Sequence, residues 1–470
     1  MSFTTDESRW PDVWLAAAAR GTTICGDFLA ATALALALQG AGAGGLAVSG
    51  LLLAATLPLV VLAPLAGRLA DRTDSRTLLV TIGFGQAAIC ALLAVVEQPV
   101  LVVGLVALLA CGLAVTQPCL AALLPAMVRP ADLPRASAIS QTAVSLGALG
   151  GPVLAGLLVG QFGTRVPLLL DAATYLALVV AGLLLRTRRG GRRPAAAPGS
   201  AAASTAAPSS AAPSRAAAVS SPAVSGGVAT PGGTEGGWRL RRDPLMLVMV
   251  VSTAVVIAAI GGINVIEVFF IRETLGGSAT TYGLVSAAWM AGMLPGTWLA
   301  VRLARRLDDD GALVRGVLAT LAVCSLMVFL AATVPAAGVL VPLWLVGGAA
   351  NGGENVFANL LTARRVPEAV RARAYASYGA AVQGGSMAGF LIGGALLAVV
   401  PPRPLIAGAG VVGLLVVLVF VPFVTGAARR SSSAGLATPG RPAEPEPAAG
   451  DTVGPWLSAS HARGSGTSSS

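Results

Sequence analysis

Apolar residues run through this chain in long blocks, and charged residues sit almost entirely at the block ends. Twelve such blocks lie between Val13 and Phe423. Each is long enough for a helix crossing a hydrocarbon core of about 30 Å, which takes about 20 residues. The blocks predict helices over 13–38, 46–66, 77–96, 99–124, 136–160, 166–185, 245–271, 281–303, 312–332, 337–361, 373–399 and 404–424. Hydrocarbon offers backbone groups no partners, so a spanning segment has to satisfy its own, as a helix does. The pattern predicts an all-α membrane protein.

One stretch breaks the pattern. From Arg186 to Arg242 the chain is Ala, Pro, Ser and Gly with Arg clusters at both ends, and it has almost no large apolar residues. Such a segment cannot bury enough surface to offset its ordering entropy. The prediction is a disordered linker over 186–243 and a similar tail over 427–470, flanking a six-helix bundle at 1–185 and another at 244–426.

Charge then orients the chain. All 31 residues counted as Lys or Arg are Arg, and the net charge is +10. Arg68, Arg72, Arg76, Arg129, Arg135, the linker, Arg302 to Arg315, Arg364 to Arg373, Arg429 and Arg430 fall on one set of connections. The alternating set holds only Arg165, Arg272 and Arg403. By the positive-inside rule the rich side is cytoplasmic, with both termini and the linker on it. The basic excess is a topology signal and predicts no nucleic-acid partner. The use of Arg without Lys points to a GC-rich bacterial source and its cytoplasmic membrane. Residues 1–11 are polar, and no short apolar core with an A-x-A site follows, so the first helix is predicted to stay as an anchor.

Little other chemistry is available. Cys25, Cys90, Cys111, Cys119 and Cys324 all lie inside apolar blocks, without ligand spacing, and read as small apolar fillers. The single His461 lies in the tail, so any intramembrane proton carrier has to be a carboxylate. The chain has no nucleophile motif, phosphate loop or metal cluster. No cofactor and no enzyme activity are expected.

The halves resemble each other. Pro130 and Pro367 each open a short Arg-containing stretch leading into a Gly-rich helix. Gly147 and Gly384 are equally far from these prolines, as are Gly156 and Gly393. Parallel six-helix repeats of this kind build many secondary transporters.

The loop after the second block reads Gly67-Arg-Leu-Ala-Asp71-Arg72-Thr-Asp-Ser-Arg76. It resembles the G-x-L-A-D-R-x-G-R-K signature of the major facilitator superfamily, with Asp74 and Ser75 in place of the second Gly and the Arg after it. A degenerate copy follows the eighth block, from Gly296 to Arg306. Gly147-x-x-x-Gly151-Pro152-x-x-x-Gly156 is similar to the fifth-helix element of that superfamily's drug–proton antiporters, with Ala155 in place of one Gly. The stretches Arg20–Asp27 and Asp171–Tyr175 look like twelve-helix exporters of the macrolide- and siderophore-efflux type. The antiporters' fourth-helix R-x-x-Q-G element is not matched. The resemblance implies two pseudo-symmetric bundles rocking about a midplane cavity, and a monomer. It also implies a cytoplasmic latch in which Asp71 meets the amide end of helix eleven. The same charges also read as a solvated cluster that only sets topology, and the glycines as ordinary small-residue packing.

Polar residues at membrane depth are costly and mark function. They fall on the helices that line the cavity in this superfamily: Thr23 and Asp27 on the first, Gln117 on the fourth, Asn264 and Glu267 on the seventh, and Asn351, Glu354 and Asn355 on the tenth. Three- and four-residue spacings predict one face for each set. Asp27 and Glu354 are the leading candidates for proton coupling or cation recognition, with Glu267 third, nearer the outer surface. Each also reads as a structural partner for a helix-end Arg or a backbone group. Asp171 reads as a helix cap. Together these readings point to proton-coupled efflux of a small hydrophobic or amphipathic compound. A metabolite importer or facilitator, and a transport-inactive receptor or scaffold, are the alternatives. Single cysteines introduced by Ser209→Cys and Ser458→Cys should react with an impermeant thiol reagent from the same face of the membrane; labelling from opposite faces would remove the even helix count.

Overall fold

A computed structural model of the chain describes residues 8–63, 65, 69, 73–185, 187, 240, 243–307 and 309–436. The latch positions Gly67, Asp71 and Arg72 lie outside the described residues, as do most of the predicted linker and the tail beyond 436.

Twelve helices run through the described residues. In the first half they are α1 (Trp10–Gly40), α2 (Gly44–Val61), α3 (Ser75–Leu93), α4 (Pro99–Met127), α5 (Leu133–Phe162) and α6 (Arg165–Leu184). In the second they are α7 (Pro244–Thr274), α8 (Ala279–Ala304), α9 (Asp310–Ala331), α10 (Leu340–Arg365), α11 (Glu368–Leu396) and α12 (Pro402–Leu436). Ten of them are long and apolar enough to cross a membrane by length and composition. The other two, α10 and α11, fall short of the apolar blocks expected of them. They carry Asn351, Glu354, Asn355 and Asn359, and Arg371, Arg373 and Gln383, where their neighbours carry aliphatics.

Local chemistry sets the ends. Asp74, Asp243, Ser278 and Asp309 cap α3, α7, α8 and α9 by accepting from backbone N–H groups of the first turn. Asp74 thus replaces the signature's turn glycine with a helix cap. The short α1–α2 connection holds Gly42 and Gly44 at φ of 69° and 72°, a backbone shape only glycine adopts freely. Helix α7 is interrupted at Gly261–Gly262 and resumes as Ile263–Phe269, ending in a π-turn over Phe270–Thr274. The Asn264 side chain donates to the Gly261 carbonyl at 3.1 Å, serving an acceptor near the break.

The helices pack through glycine. Without a hydrophobic force between helices in lipid, close backbone approach supplies the attraction. A Cβ added at Gly292 or Gly296 of α8 would land on the carbonyls of Leu345 or Ala349 of α10. Gly348 and Gly352 of α10 are equally close to Trp289 and Met293 of α8. In the first half, Gly147 and Gly151 of α5 lie against Gly21, Cys25 and Phe28 of α1. The matching pair in the second half is α11 on α7, through Gly385, Gly389 and Gly393 against Ala254, Ala258 and Gly262. So α1–α5 repeats as α7–α11, and the fold is two six-helix bundles related by a pseudo-twofold.

The bundles meet at the end opposite the Arg-rich loops. Gly156 of α5 packs on Ala279 and Gly283 of α8, and the Thr280 hydroxyl donates to the Gly156 carbonyl at 3.2 Å. Its symmetry mate is α2 on α11, where Gly45 touches Leu397 and the Ser49 hydroxyl donates to the Phe390 carbonyl at 2.6 Å. Gln39 of α1 donates to Glu273 of α7 at 3.0 Å. At the Arg-rich end each bundle is tied to itself. The N–H of Arg9 donates to the Met127 carbonyl at 2.9 Å, and Asp12 accepts from Thr187 at 2.7 and 3.1 Å. In the second bundle Arg365 bridges Asp243 at 2.9 Å and Asp310 at 3.1 Å. Arg365 therefore clasps the ends of α7, α9 and α10 together.

Gly296→Val forces α8 and α10 apart and should cost about 1–3 kcal/mol of stability. A lower apparent melting temperature in detergent would register it. Gly85, with open space around its Cβ position, is the control: Gly85→Ala should be neutral or stabilising by up to about 1 kcal/mol.

Candidate functional site

Of the three carboxylates predicted to matter, Glu354 and Glu267 are buried and Asp27 is partly buried, and each is met by neutral donors. Glu354, near the middle of α10, is only 2 % exposed. The Tyr378 hydroxyl of α11 donates to its Oε1 at 2.5 Å, and the Thr253 hydroxyl of α7 lies 3.5 Å away. Three helices thus converge on one acid. Glu267, on the Ile263–Phe269 segment of α7, accepts from the Ser286 hydroxyl of α8 at 3.4 Å and from the Trp344 indole of α10. Tyr282 lies beside this pair. Asp27 of α1 is partly buried and accepts from the Tyr175 hydroxyl of α6 at 2.5 Å.

None of these acids is in an ion pair among the described residues. The ion pairs present sit at helix ends: Arg129–Asp132, Arg165–Glu97, Arg315–Asp309 and the Arg365 clasp. This excludes, for the described residues, the reading of Asp27, Glu267 or Glu354 as a partner of a helix-end Arg. A buried acid without a cation is costly unless hydrogen bonds or a proton compensate it.

Other predicted positions divide. The Thr23 hydroxyl is buried and donates to the Ala19 carbonyl of its own helix at 2.6 Å, so it presents nothing to a cavity. Gln117 is half-buried beside Pro118. Asn264 is exposed whereas Glu267 is buried, so the single polar face expected for them on α7 does not form. Both lie on the Ile263–Phe269 segment after the break, and it is the packing of α8 against Glu267, with Asn264 left exposed, that separates their environments. The expected stripe on α10 also divides. Asn351 and Asn355 are half-buried and linked by a 2.9 Å bond from the Asn355 amide to the Asn351 carbonyl, while Glu354 turns into the helix interface. Arg76 is half-buried at the start of α3. Pro152 and Gly156 face α8, and Gly147 and Gly151 face α1, so the helix-five element serves two interfaces.

Asp171 corrects the sequence reading. It does not cap α6, which begins at Arg165 after Thr164. It is wholly buried seven residues into the helix numbering, accepting from the Cys90 thiol of α3 at 3.1 Å and from Thr174 at 3.2 Å. The hydroxyl donors Tyr175, Tyr378 and Thr253 also escaped the sequence reading. A signal was present: the chain has four tyrosines, and Tyr175, Tyr282 and Tyr378 all lie inside predicted spans. A crevice of about 390 Å³ between Gly44, Phe269, Glu273 and Leu397 marks the end where the bundles meet, and Asp27, Glu267 and Glu354 do not line it.

The chain belongs to the major facilitator superfamily, whose model matches residues 16–264 and 249–463. Among curated proteins none matches it by sequence. Solved structures share the fold. A bacterial homologue of the human lysosomal transporter Spinster, in an inward-facing, unoccupied conformation, superposes with a TM-score of 0.63 at 14% identity, over 89% of this chain and 97% of that one. A variant of the nucleoside transporter NupG gives 0.62 at 13% identity, over 90% and 98%. A bacterial homologue of the iron transporter ferroportin, inward-facing, gives 0.61 at 15% identity, over 89% and 100%. The chain is a multi-pass membrane transporter of small molecules and not an enzyme.

Removing the Tyr378 hydroxyl by Tyr378→Phe leaves Glu354 with one weaker donor. It should cost about 1–3 kcal/mol of stability, the penalty of an unmet buried acceptor. Tyr375→Phe removes a 3.1 Å bond to the Asn359 carbonyl in a half-buried site and should cost less. Chemical unfolding of the purified protein compares the two.

Proposed function

We propose that the protein is a proton-coupled exporter of a small hydrophobic or amphipathic compound, working by alternating access. The observation that carries this reading is the set of wholly or partly buried carboxylates at membrane depth, Asp27 and Glu354 foremost, each bonded to a tyrosine hydroxyl and, among the described residues, to no cation. A proton is the smallest cation able to neutralise such a group, and taking it up on one side and releasing it on the other is the elementary act of coupling. Glu267, placed nearer the end where the bundles meet, is the third candidate.

The bundle contacts support the same reading. They lie at the end opposite the Arg-rich loops, and each bundle is tied to itself at the Arg-rich end, so the two can rotate as bodies. If the Arg-rich side is cytoplasmic, this is the inward-open state, and Asp71 is the residue that would latch the inner side after rotation. Half-buried Gln117, Asn351 and Asn355 would face the compound. Export, a bacterial cytoplasmic membrane, cytoplasmic termini, a disordered 186–243 linker and a monomeric unit belong to the same proposal.

In everted vesicles energised to an acid interior, an amphipathic cation such as ethidium should accumulate and draw protons outward, reported by a pH-sensitive dye. Asp27→Asn and Glu354→Gln should each lower this exchange at least tenfold. Normal transport by both variants across pH would overturn the coupling assignment.

A further inference from the structure

Two sequence segments that the coupling reading leaves separate meet across the α1–α6 interface. One is Gly26–Asp27 on α1, the other Asp171–Tyr175 on α6. Gly26 makes the meeting possible: a Cβ there would land on Asp171 Oδ1 and Thr174 Oγ1. Tyr175 donates to Asp27, one residue along from Thr174, which donates to Asp171. The Cys90 thiol supplies the other Asp171 oxygen.

Among the described residues no positive charge reaches this pocket. The titratable groups facing it are Cys25 and Asp27 from α1, Cys90 from α3, and Asp171 and Tyr175 from α6. Helix α5, packed along α1, has no titratable residue after Arg135, and α2 has none. Helix α4 offers only Cys111 and Cys119. On α7, Glu267 turns to α8 and α10, and Arg272 donates to the Gly277 carbonyl. Glu273 is bonded to Gln39, twelve residues and about 18 Å along α1 from Asp27. The basic residue of α1 itself, Arg20, is seven residues or about 10 Å back and donates to Ser140 at 3.4 Å. Two ionised carboxylates here would repel each other in a medium that screens little.

We propose that Asp171 is a positioning residue for the proton at Asp27, the two carboxyl groups sharing one pocket and a single proton between them. The inference rests on Asp27 as a coupling carboxylate. The thiol and hydroxyl hydrogens aimed at the Asp171 oxygens suit an anion held by neutral donors, and they leave no open coordination sphere for a metal. Asp27, which keeps some exposure, exchanges the proton with water, while Asp171, which has none, stays anionic behind it. When the proton leaves to water, the pocket holds two like charges gripped by different helices, and the α1–α6 packing has to absorb the repulsion. Loading and unloading of one proton thereby acts on the seating of α1, the helix that also bears on α5.

The test is infrared difference spectroscopy of the full chain in lipid nanodiscs, reading the carbonyl stretch of protonated carboxyl groups at neutral pH. A shared proton gives one carboxyl equivalent for the pair. Asp27→Asn and Asp171→Asn should each displace or remove the same band, and the double variant should lose one equivalent in total. Loss of two equivalents, loss of none, or an unchanged band in Asp171→Asn would overturn the proposal. Should Asp171→Asn fail to fold, Cys90→Ala removes only a donor to Asp171 and no carboxyl group. It should still shift the band, and an unshifted band would overturn the proposal equally. If the band behaves as expected while Asp27→Asn transports normally, the coupling reading fails and the shared proton stands.

Discussion

Hydrocarbon supplies no hydrogen bonds, so every polar group this chain carries into the membrane has to be answered from within the protein. That constraint explains more of the structure than any single contact. Glu354 is answered by Tyr378 and Thr253, Glu267 by Ser286 and Trp344, Asp27 by Tyr175, and Asp171 by Cys90 and Thr174. Except for Thr174, which shares α6 with Asp171, the donors come from different helices than the acids, so each of these carboxylates also works as a joint. All the donors are neutral. Arginine, the only abundant cation here, gathers at the ends, where it clasps helix termini as Arg365 does with Asp243 and Asp310, while Arg20 inside α1 donates to Ser140.

Glycine solves the complementary problem. With no water to expel between helices in lipid, adhesion depends on how closely backbones approach. The α8–α10, α1–α5 and α7–α11 interfaces are all built on glycine against carbonyl. The same device joins the bundles at α5–α8 and α2–α11, with Gly156, Gly283, Gly45 and Gly394 at the contacts. Surfaces of this kind are smooth, and few polar bonds cross them, chiefly from Ser49, Thr280 and Gln39. Bundles that are internally clasped and externally smooth suit rotation of one against the other.

The fold itself tolerates wide change, since structures with 13% to 15% identity share it over nearly the full chain. A packing scheme that needs only small residues at crossings and apolar residues elsewhere is satisfied by many sequences. The acids and their donors are not required by that scheme. Their presence at depth costs stability, which is the physical reason to look for function there.

Helix number, order and approximate extent were legible from the apolar blocks, because a bilayer fixes the length a span needs. The pseudo-repeat was legible in the matched prolines and glycines, since backbone crossing leaves a direct residue signature. The polar residues of α10 and α11 were visible as well, although reading those helices as apolar blocks overstated them. What the sequence could not decide was direction around each helix. Whether Glu267 shares an environment with Asn264 depended on which neighbours pack against the Ile263–Phe269 segment. Whether Asp171 caps a helix or reaches Gly26 depended on where α6 begins and how closely α1 approaches it. Those are questions of which helix lies beside which, and only tertiary packing answers them: a hydrogen bond between Tyr175 and Asp27 spans 148 residues of chain and has no local trace.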